Sequence, residues 1–192
     1  FRSLLNQVDG LARLIEDLRA LSLAESGHLY LHMQATDLDA EVESVVAFCQ
    51  HAHQMAGQRL VLDLDTPSAM CDPVRIRQAL LALLDNARRY AAPGEVLIQT
   101  RQQNGWGILR VEDEGPGIPP ESASEVFTAF RRMHDCGETA TDTGSGLGLA
   151  VVAAIARAHH GYANCFHSRK GGACFELRWP QHTLDRSTEE PP

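Results

Sequence analysis

Apolar residues at the start of the chain recur every three or four positions, which is the heptad spacing of a helix that packs against other helices. Additional leucines make this seam wider than the stripe of a two-stranded coiled coil, which is typical of a helix in a four-helix bundle. One helix cannot bury such a seam alone, so we expect partner helices from a second copy or from chain outside this sequence. The seam consists of Leu4, Val8, Leu11, Ile15 and Leu18.

After the pair Ser26–Gly27, which predicts the end of this helix, the pattern changes to short alternating segments and amphipathic stretches. Thr36 is expected to open a second helix. The pair Asp72–Pro73 predicts the start of a third helix that runs to Tyr90, and a fourth is predicted over 147–158. Alternation predicts strands over 29–33, 59–64, 95–101, 107–113, 162–168 and 173–179, of which the last four form two hairpins.

Composition narrows the class of protein. The chain has 192 residues, a formal net charge of -8 and 44% hydrophobic residues, which suits one or two globular domains. The negative charge disfavours nucleic-acid binding, which needs clustered Lys and Arg. Five widely spaced cysteines form no C-x-x-C pair and are expected to be reduced thiols. No stretch has the length and apolar character of a membrane span. We expect the sequence to be part of a longer protein, and whether a membrane anchor precedes it stays open.

Three local patterns carry candidate chemistry, and each also has a plainer structural explanation. Asn86 lies on the third helix, where its amide oxygen could be an Mg²⁺ ligand or simply face solvent. Asp113, followed by Gly115 and Gly117, suits a strand-ending turn. The same carboxylate could accept a hydrogen bond from an amino group such as that of adenine, with glycines that let a flat base approach. The glycine run 144–148 could hold phosphates on free N–H groups or merely pack tightly.

Taken together and in this order, the patterns resemble those of the histidine-kinase ATP-binding domain, one branch of the GHKL ATPase superfamily. The similarity runs from Phe1 to about Pro180. It implies an α/β fold, a two-layer α/β sandwich of the Bergerat ATP-binding type with helices on one face of a mixed sheet. We expect residues 1–26 to be the second helix of the dimerisation and phosphotransfer domain, and 27–180 to be the ATP-binding catalytic domain. The polar residues 181–192 are expected to be a disordered tail.

The helix over 75–90 resembles the N box of that family, and the resemblance implies ATP and Mg²⁺ as cofactors. It implies that Asn86 is a Mg²⁺ ligand with a catalytic role, that Arg89 contacts a phosphate and that Tyr90 lies beside the adenine or ribose. Ala82 departs from the family pattern, because kinases often carry a second Asn there and hydrolytic relatives a Glu that activates water. Alanine can neither activate a water nor hold one through a side-chain oxygen, so efficient ATP hydrolysis is not expected.

Residues 113–119 resemble the first glycine box, the segment that ends at Arg132 the F box, and 144–149 the second glycine box. The resemblance implies that Asp113 accepts the adenine amino group and that Arg132 reaches the γ-phosphate as a catalytic charge. The polar segment 131–146 is expected to be a lid loop over ATP. Further nucleotide-binding residues implied by the resemblance are Gly115, Gly117, Ile118, Gly144, Ser145, Gly146, Leu147 and Gly148.

The implied function is that of the cytoplasmic catalytic region of a two-component sensor histidine kinase. It would transfer the γ-phosphate of Mg-ATP to a histidine on a bundle helix outside this sequence, for relay to an aspartate of a response regulator. A homodimer through the N-terminal helix bundle and a full-length protein in the bacterial inner membrane are expected. Two alternatives stay open: a degenerate ATP-sensing or dimerisation module without phosphotransfer, and a hydrolytic GHKL ATPase of the gyrase, mismatch-repair or chaperone type.

Overall fold

The computed structural model describes five ranges of the chain, namely 2–66, 68–123, 125–131, 145–168 and 171–181. These residues form both helices and strands, as the sequence pattern predicts. In chain order the elements are α1 (Arg2–Glu25), β1 (Gln34–Thr36), α2 (Leu38–Met55), β2 (Gln58–Asp63), β3 (Ala69–Cys71), α3 (Pro73–Tyr90), β4 (Gly94–Gln103), β5 (Trp106–Glu112), a 3-10 turn (Pro120–Ser122), α4 (Gly148–Ala158), β6 (Tyr162–His167) and β7 (Ala173–Pro180).

A five-stranded mixed sheet forms one layer of the fold, with the strand order β2-β4-β5-β7-β6. β2 runs parallel to β4, and the other neighbouring strands are antiparallel. Alternate residues of β4 (Val96, Ile98 and Thr100) are buried, which marks the face that the helices cover. β1 and β3 form a separate two-stranded sheet. The mixed sheet packed with helices confirms the predicted α/β class.

Two local signals act as predicted. Asp72 caps α3, because its Oδ1 accepts hydrogen bonds from the backbone N–H groups of Val74 and Arg75 at 3.0 and 3.1 Å. Asn104 and Gly105 join β4 to β5 with φ angles of 53° and 77°. These left-handed values are those of a type I′ hairpin turn, whose twist matches that of the flanking strands.

Two predictions near the end of α1 are wrong. The segment 29–33 is not a strand, since only Gln34–Thr36 pairs with β3. The residue that caps α2 is Asp37 rather than Thr36, because the Asp37 side chain accepts from the N–H of Ala40 at 3.0 Å. Strands of three residues such as β1 and β3 are too short for an alternating pattern to reveal.

The first helix, α1, buries one face against the domain. Ala20 is fully buried where α1 packs beside α4, and Glu16 pairs with Arg75 of α3 at 3.5 Å. Three residues of the heptad seam, Leu11, Ile15 and Leu18, are 61%, 59% and 47% exposed. The bundle that would cover this seam stays a prediction.

Gln181, the first residue of the expected tail, makes hydrogen bonds to the domain. Gln181, placed in the tail, donates its backbone N–H to Gly105 at 2.7 Å, and its Oε1 accepts from the N–H of Met70 at 2.7 Å. Residues 182–192 lie outside the described residues, as do 132–144 of the expected lid loop. Within the part of the chain that is described, no helix has the length and apolar character to cross a membrane.

A buried histidine, His159, joins the end of α4 to the start of α3. Its Nε2 accepts the backbone N–H of Asp72 at 3.1 Å, so Nδ1 carries the proton that is donated to Ile155 O at 2.9 Å. The ring also meets Trp179 edge-on, with centroids 6.3 Å apart. Burial lowers the pKa of His159 against the opposing hydrogen bond to Ile155, so the ring is neutral in the folded protein.

This arrangement predicts acid sensitivity. Above pH ~6.5, the ordinary pKa of histidine, the imidazole is neutral in both states and its stabilising contribution is complete. As the pH falls below that value, the unfolded chain takes up the proton first, and the free energy of unfolding decreases. Urea unfolding at about pH 7.5 and 5.5 measures this loss, which His159→Gln should reduce. An equally large pH difference in the variant would assign the effect to other groups.

Candidate functional site

Asp113 follows β5 directly, and its carboxylate is buried at 5% exposure. Its Oδ1 accepts two backbone hydrogen bonds, from the N–H of Gly115 at 2.9 Å and from the N–H of Ala173 at 3.0 Å. Among the described residues, nothing donates to the other oxygen, Oδ2. One carboxylate oxygen is therefore committed to the backbone, and the other is available to a ligand.

The electrostatics of Asp113 suit a ligand with a hydrogen-bond donor. Burial raises the pKa of this carboxyl, because desolvation disfavours its charged form. The two backbone N–H groups oppose that shift, while the charge of Glu112 adds to it. A further N–H group placed on Oδ2 would stabilise the carboxylate in the same way as the backbone donors do.

The loop after β5 is packed too closely for ordinary side chains. A Cβ added to Gly115 would lie 2.9 Å from the Cα of Ala91. Gly117 has a φ of +73°, and a Cβ there would lie 3.1 Å from Nδ1 of His167. Ile118 packs against the hydrophobic core. The backbone geometry of this loop thus favours glycine at positions 115 and 117.

The turn between β6 and β7 forms a second wall beside Asp113, which the sequence did not predict. A Cβ on Gly172 would lie only 2.2 Å from the carbonyl oxygen of Asp113 and 2.5 Å from the nitrogen of Gly115. The next residue, Ala173, supplies one of the two donors to Oδ1. In the sequence, Gly171 and Gly172 indicate only a turn, and no local signal connects them with a residue sixty positions earlier.

The C-terminal half of α3 carries the three residues expected on the N box. Asn86 is half-buried, and its amide makes no hydrogen bond to the described residues. Tyr90 is 47% exposed at the last position of the helix. Arg89 donates its Nε to Oδ2 of Asp85 at 2.8 Å. The side chains of Asn86 and Tyr90 are accordingly available to a ligand, whereas Arg89 is held by a neighbour.

Asp85 is a residue of this site that the sequence did not single out. It accepts from Arg88 at 2.9 Å as well as from Arg89, through residues three and four positions further along the helix. Burial would raise the pKa of Asp85, but the two guanidinium groups outweigh it and hold that pKa below its ordinary value. The carboxylate stays charged and restrains the direction of Arg89.

The start of α4 lies against α3 and offers uncapped N–H groups. Leu147 precedes the helix without a side-chain cap, and among the described residues no side chain is a partner of the first-turn amides there. A Cβ on Gly148 would lie 3.6 Å from the Cβ of Ala82. Gly146 has a φ of +68° and packs on the backbone of Phe130. This geometry is suited to an anion, because the helix dipole and free amides point the same way.

Two chemically different corners therefore flank the same stretch of α3. Gly115 and Asp113 meet the helix at Ala91, and Gly148 meets it at Ala82. These contact points are roughly 13 Å apart along the helix axis, given its rise of ~1.5 Å per residue. Ser145, which accepts the N–H of Leu147 at 3.3 Å, lies at the anion corner. Two predicted site residues, Arg132 and Gly144, lie outside the described residues.

Comparison with known proteins places this geometry in a family. Residues 71–183 match the family described as histidine kinase-, DNA gyrase B- and HSP90-like ATPase. A solved structure of the Acinetobacter baumannii histidine kinase AdeS matches with a TM-score of 0.79 at 37% identity, over 95% of this chain and 84% of that chain. The chain belongs to the histidine kinase branch of this ATPase family.

Two further similarities extend over most of this histidine kinase domain. The sensor protein RstB of Escherichia coli K12 is 32% identical over 179 residues, which are 93% of this chain and 41% of RstB. The structure of full-length ShkA in complex with AMPPNP matches with a TM-score of 0.80 at 25% identity, over 95% of this chain and 38% of that chain. The histidine kinase domain thus spans less than half the length of either protein.

The close packing around Gly172 predicts a selective effect of one methyl group. Gly172→Ala should displace Asp113 or the nitrogen of Gly115 and lower the free energy of unfolding by about 2 kcal/mol, as overpacking does. Urea unfolding measures the loss, with Gly10→Ala as control because nothing lies within 4 Å of its added Cβ. Equal stabilities of the two variants would contradict the contact.

Proposed function

We propose that this domain binds Mg-ATP and transfers its γ-phosphate to a histidine on a bundle helix outside this sequence, for relay to an aspartate of a response regulator. The observation that carries the proposal is that the two carboxylate oxygens of Asp113 have different surroundings. Its Oδ1 is held by two backbone donors, which leaves Oδ2 to accept the amino group of adenine. The neighbouring Gly115 and Gly117 let the flat base approach the backbone.

The phosphates would extend from that base along α3 to the start of α4. The free amides at Gly148 and the positive end of the helix dipole favour the polyphosphate charge. Arg89 would contribute a further positive charge if its guanidinium turns from Asp85 towards a phosphate. Arg132 is proposed as the catalytic charge on the γ-phosphate, and Gly144 as part of the phosphate-binding loop.

The donor set near α3 fits Mg²⁺ held mainly by the nucleotide. Mg²⁺ prefers oxygen ligands and commonly takes one or two from the protein, with phosphates and waters completing the octahedron. Asn86 offers an amide oxygen without a competing hydrogen bond among the described residues, and Ala82 offers none. When bound, the ion would neutralise part of the phosphate charge.

Hydrolysis is the weaker candidate activity. A carboxylate that activates water would have to face the anion corner, where Ala82 lies beside Gly148. The nearby Asp85 is paired with Arg88 and Arg89, and its pKa is lowered, so it is a poor base. A degenerate module that binds ATP without phosphotransfer is the second alternative, and only a transfer experiment separates it from the kinase.

The exposed seam of α1 supports a homodimer through a helix bundle. Leu11, Ile15 and Leu18 follow one helix face and are about half exposed or more, which a partner helix would cover. The relatives RstB and AdeS are named as a sensor protein and a histidine kinase, which fits a response regulator as the partner and the bacterial inner membrane as the site of the full-length protein.

Calorimetric titration with a non-hydrolysable ATP analogue tests the binding site. Mg²⁺ should strengthen binding, and Asp113→Asn should weaken it about tenfold or more, because the amide keeps an acceptor for the backbone but can turn a donor towards the adenine amino group. Asp63→Asn, which alters an exposed carboxylate on β2, should bind like the wild type. Unchanged binding by the Asp113 variant would reject the adenine assignment.

Incubation with labelled ATP tests the transfer. The domain alone should acquire no acid-labile, base-stable phosphate, whereas a supplied bundle that carries the acceptor histidine should become labelled. Intact ATP binding with no label on the bundle would favour the degenerate module. Release of free phosphate at a rate independent of the bundle would favour a hydrolase.

A further inference from the structure

A buried glutamine, Gln58, connects the start of β2 with the C-terminal end of α3. The residue is only 3% exposed. Its Nε2 donates to the carbonyl oxygens of Ala87 at 2.9 Å and Ala91 at 3.4 Å. Ala87 O also accepts the backbone N–H of Ala91 at 3.0 Å, so Gln58 adds a second donor to the last turn of α3. Gln58 therefore fixes the backbone at the point where α3 ends beside the nucleotide site.

The orientation of that amide is set by a second buried side chain, His53. Its Nδ1 lies 2.7 Å from Oε1 of Gln58, and the residue is 1% exposed. Because Nε2 of Gln58 faces two carbonyls, its oxygen must face His53, and Nδ1 must carry the proton. Rotation of the amide would put a donor against a donor and an acceptor against two acceptors, so the pair has one arrangement.

The backbone that Gln58 holds is the same backbone on which the adenine corner rests. A Cβ on Gly115 would lie 2.9 Å from the Cα of Ala91 and 3.3 Å from the carbonyl oxygen of Tyr90. Gly115 in turn donates its N–H to Oδ1 of Asp113. A continuous series of contacts thus leads from Gln58 through Ala91 and Gly115 to the carboxylate.

We infer that Gln58, oriented by His53, is a positioning residue for the nucleotide site. It touches no reacting group, and it acts by holding the Tyr90–Ala91 backbone against which Gly115 and Asp113 take their places. The inference rests on the proposed function for its effect on ATP, whereas the contacts themselves are independent of it. An apolar residue would fill the same volume but would leave His53 and Ala91 without their partner.

Gln58→Met tests this role because it keeps the length of the side chain and removes both ends of the hydrogen-bond link. The matched control is Thr100→Val, which also deletes buried hydrogen bonds, to Asp39 at 2.6 Å and Asp65 at 3.0 Å. Thr100 lies six residues along β4 from Gly94, about 20 Å from the site end of that strand. Both variants should lose stability, so stability alone does not distinguish them.

Titration with the Mg²⁺ complex of a non-hydrolysable ATP analogue does distinguish them. Gln58→Met should bind about tenfold more weakly, and Thr100→Val should bind within about twofold of the wild type. Equal weakening in both variants would reduce Gln58 to a general contribution to stability. If the wild type binds and Gln58→Met binds equally well, the positioning role is rejected while the proposed function stands.

Amide hydrogen exchange without nucleotide judges the contacts even if the wild type binds no ATP. The N–H of Gly115 should lose protection in Gln58→Met and keep it in Thr100→Val, and unchanged protection in Gln58→Met would refute the link. If Gln58→Met does not fold, His53→Leu replaces it, since it leaves Gln58 in place and frees its amide to rotate. His53→Leu should bind the analogue about threefold more weakly. If it instead binds as tightly as the wild type and keeps the protection of the Gly115 N–H, the inference is overturned.

Discussion

Two segments that are sixty residues apart in the sequence meet at one atom, Oδ1 of Asp113. The end of β5 supplies the carboxylate, and the glycine loop and the start of β7 each supply a backbone donor. Both donors can reach the same oxygen only if the chain beside them carries no side chain, which is the condition that Gly115 and Gly172 meet. The shape of the proposed adenine corner and the availability of Oδ2 both depend on this shared acceptor.

The third side of the site is the helix α3, which lies between the proposed adenine corner and the anion corner. α3 meets the proposed adenine corner near Ala91 and the anion corner near Ala82, so helical rise sets the distance between them along the helix axis. The charged side chains on this stretch are restrained as well, since Asp85 pairs with Arg88 and Arg89. A ligand that spans both corners meets a surface whose dimensions are already fixed.

Local signals made much of this architecture predictable. The cap at Asp72, the turn at Asn104 and the order of the Asn86, Asp113 and glycine patterns all depend on neighbouring residues, which a sequence displays directly. The segment 29–33 alternates like a strand but lacks a partner, and pairing is not visible in the sequence. Gly172, Gln58 and Asp85 were missed because their roles depend on contacts across the fold or on a pairing that many helices share.

The packing of α1 beside α4 connects the outer surface of α1 with the anion corner of the site. One face packs beside α4, the helix whose first turn offers amides to anions, while the opposite face presents Leu11 and Leu18 to solvent. A rigid helix cannot shift one face without the other, so a partner that repositions α1 also changes the surroundings of α4. By linkage, any preference of that partner for the ATP-loaded domain is matched by an equal preference of ATP for the partnered domain.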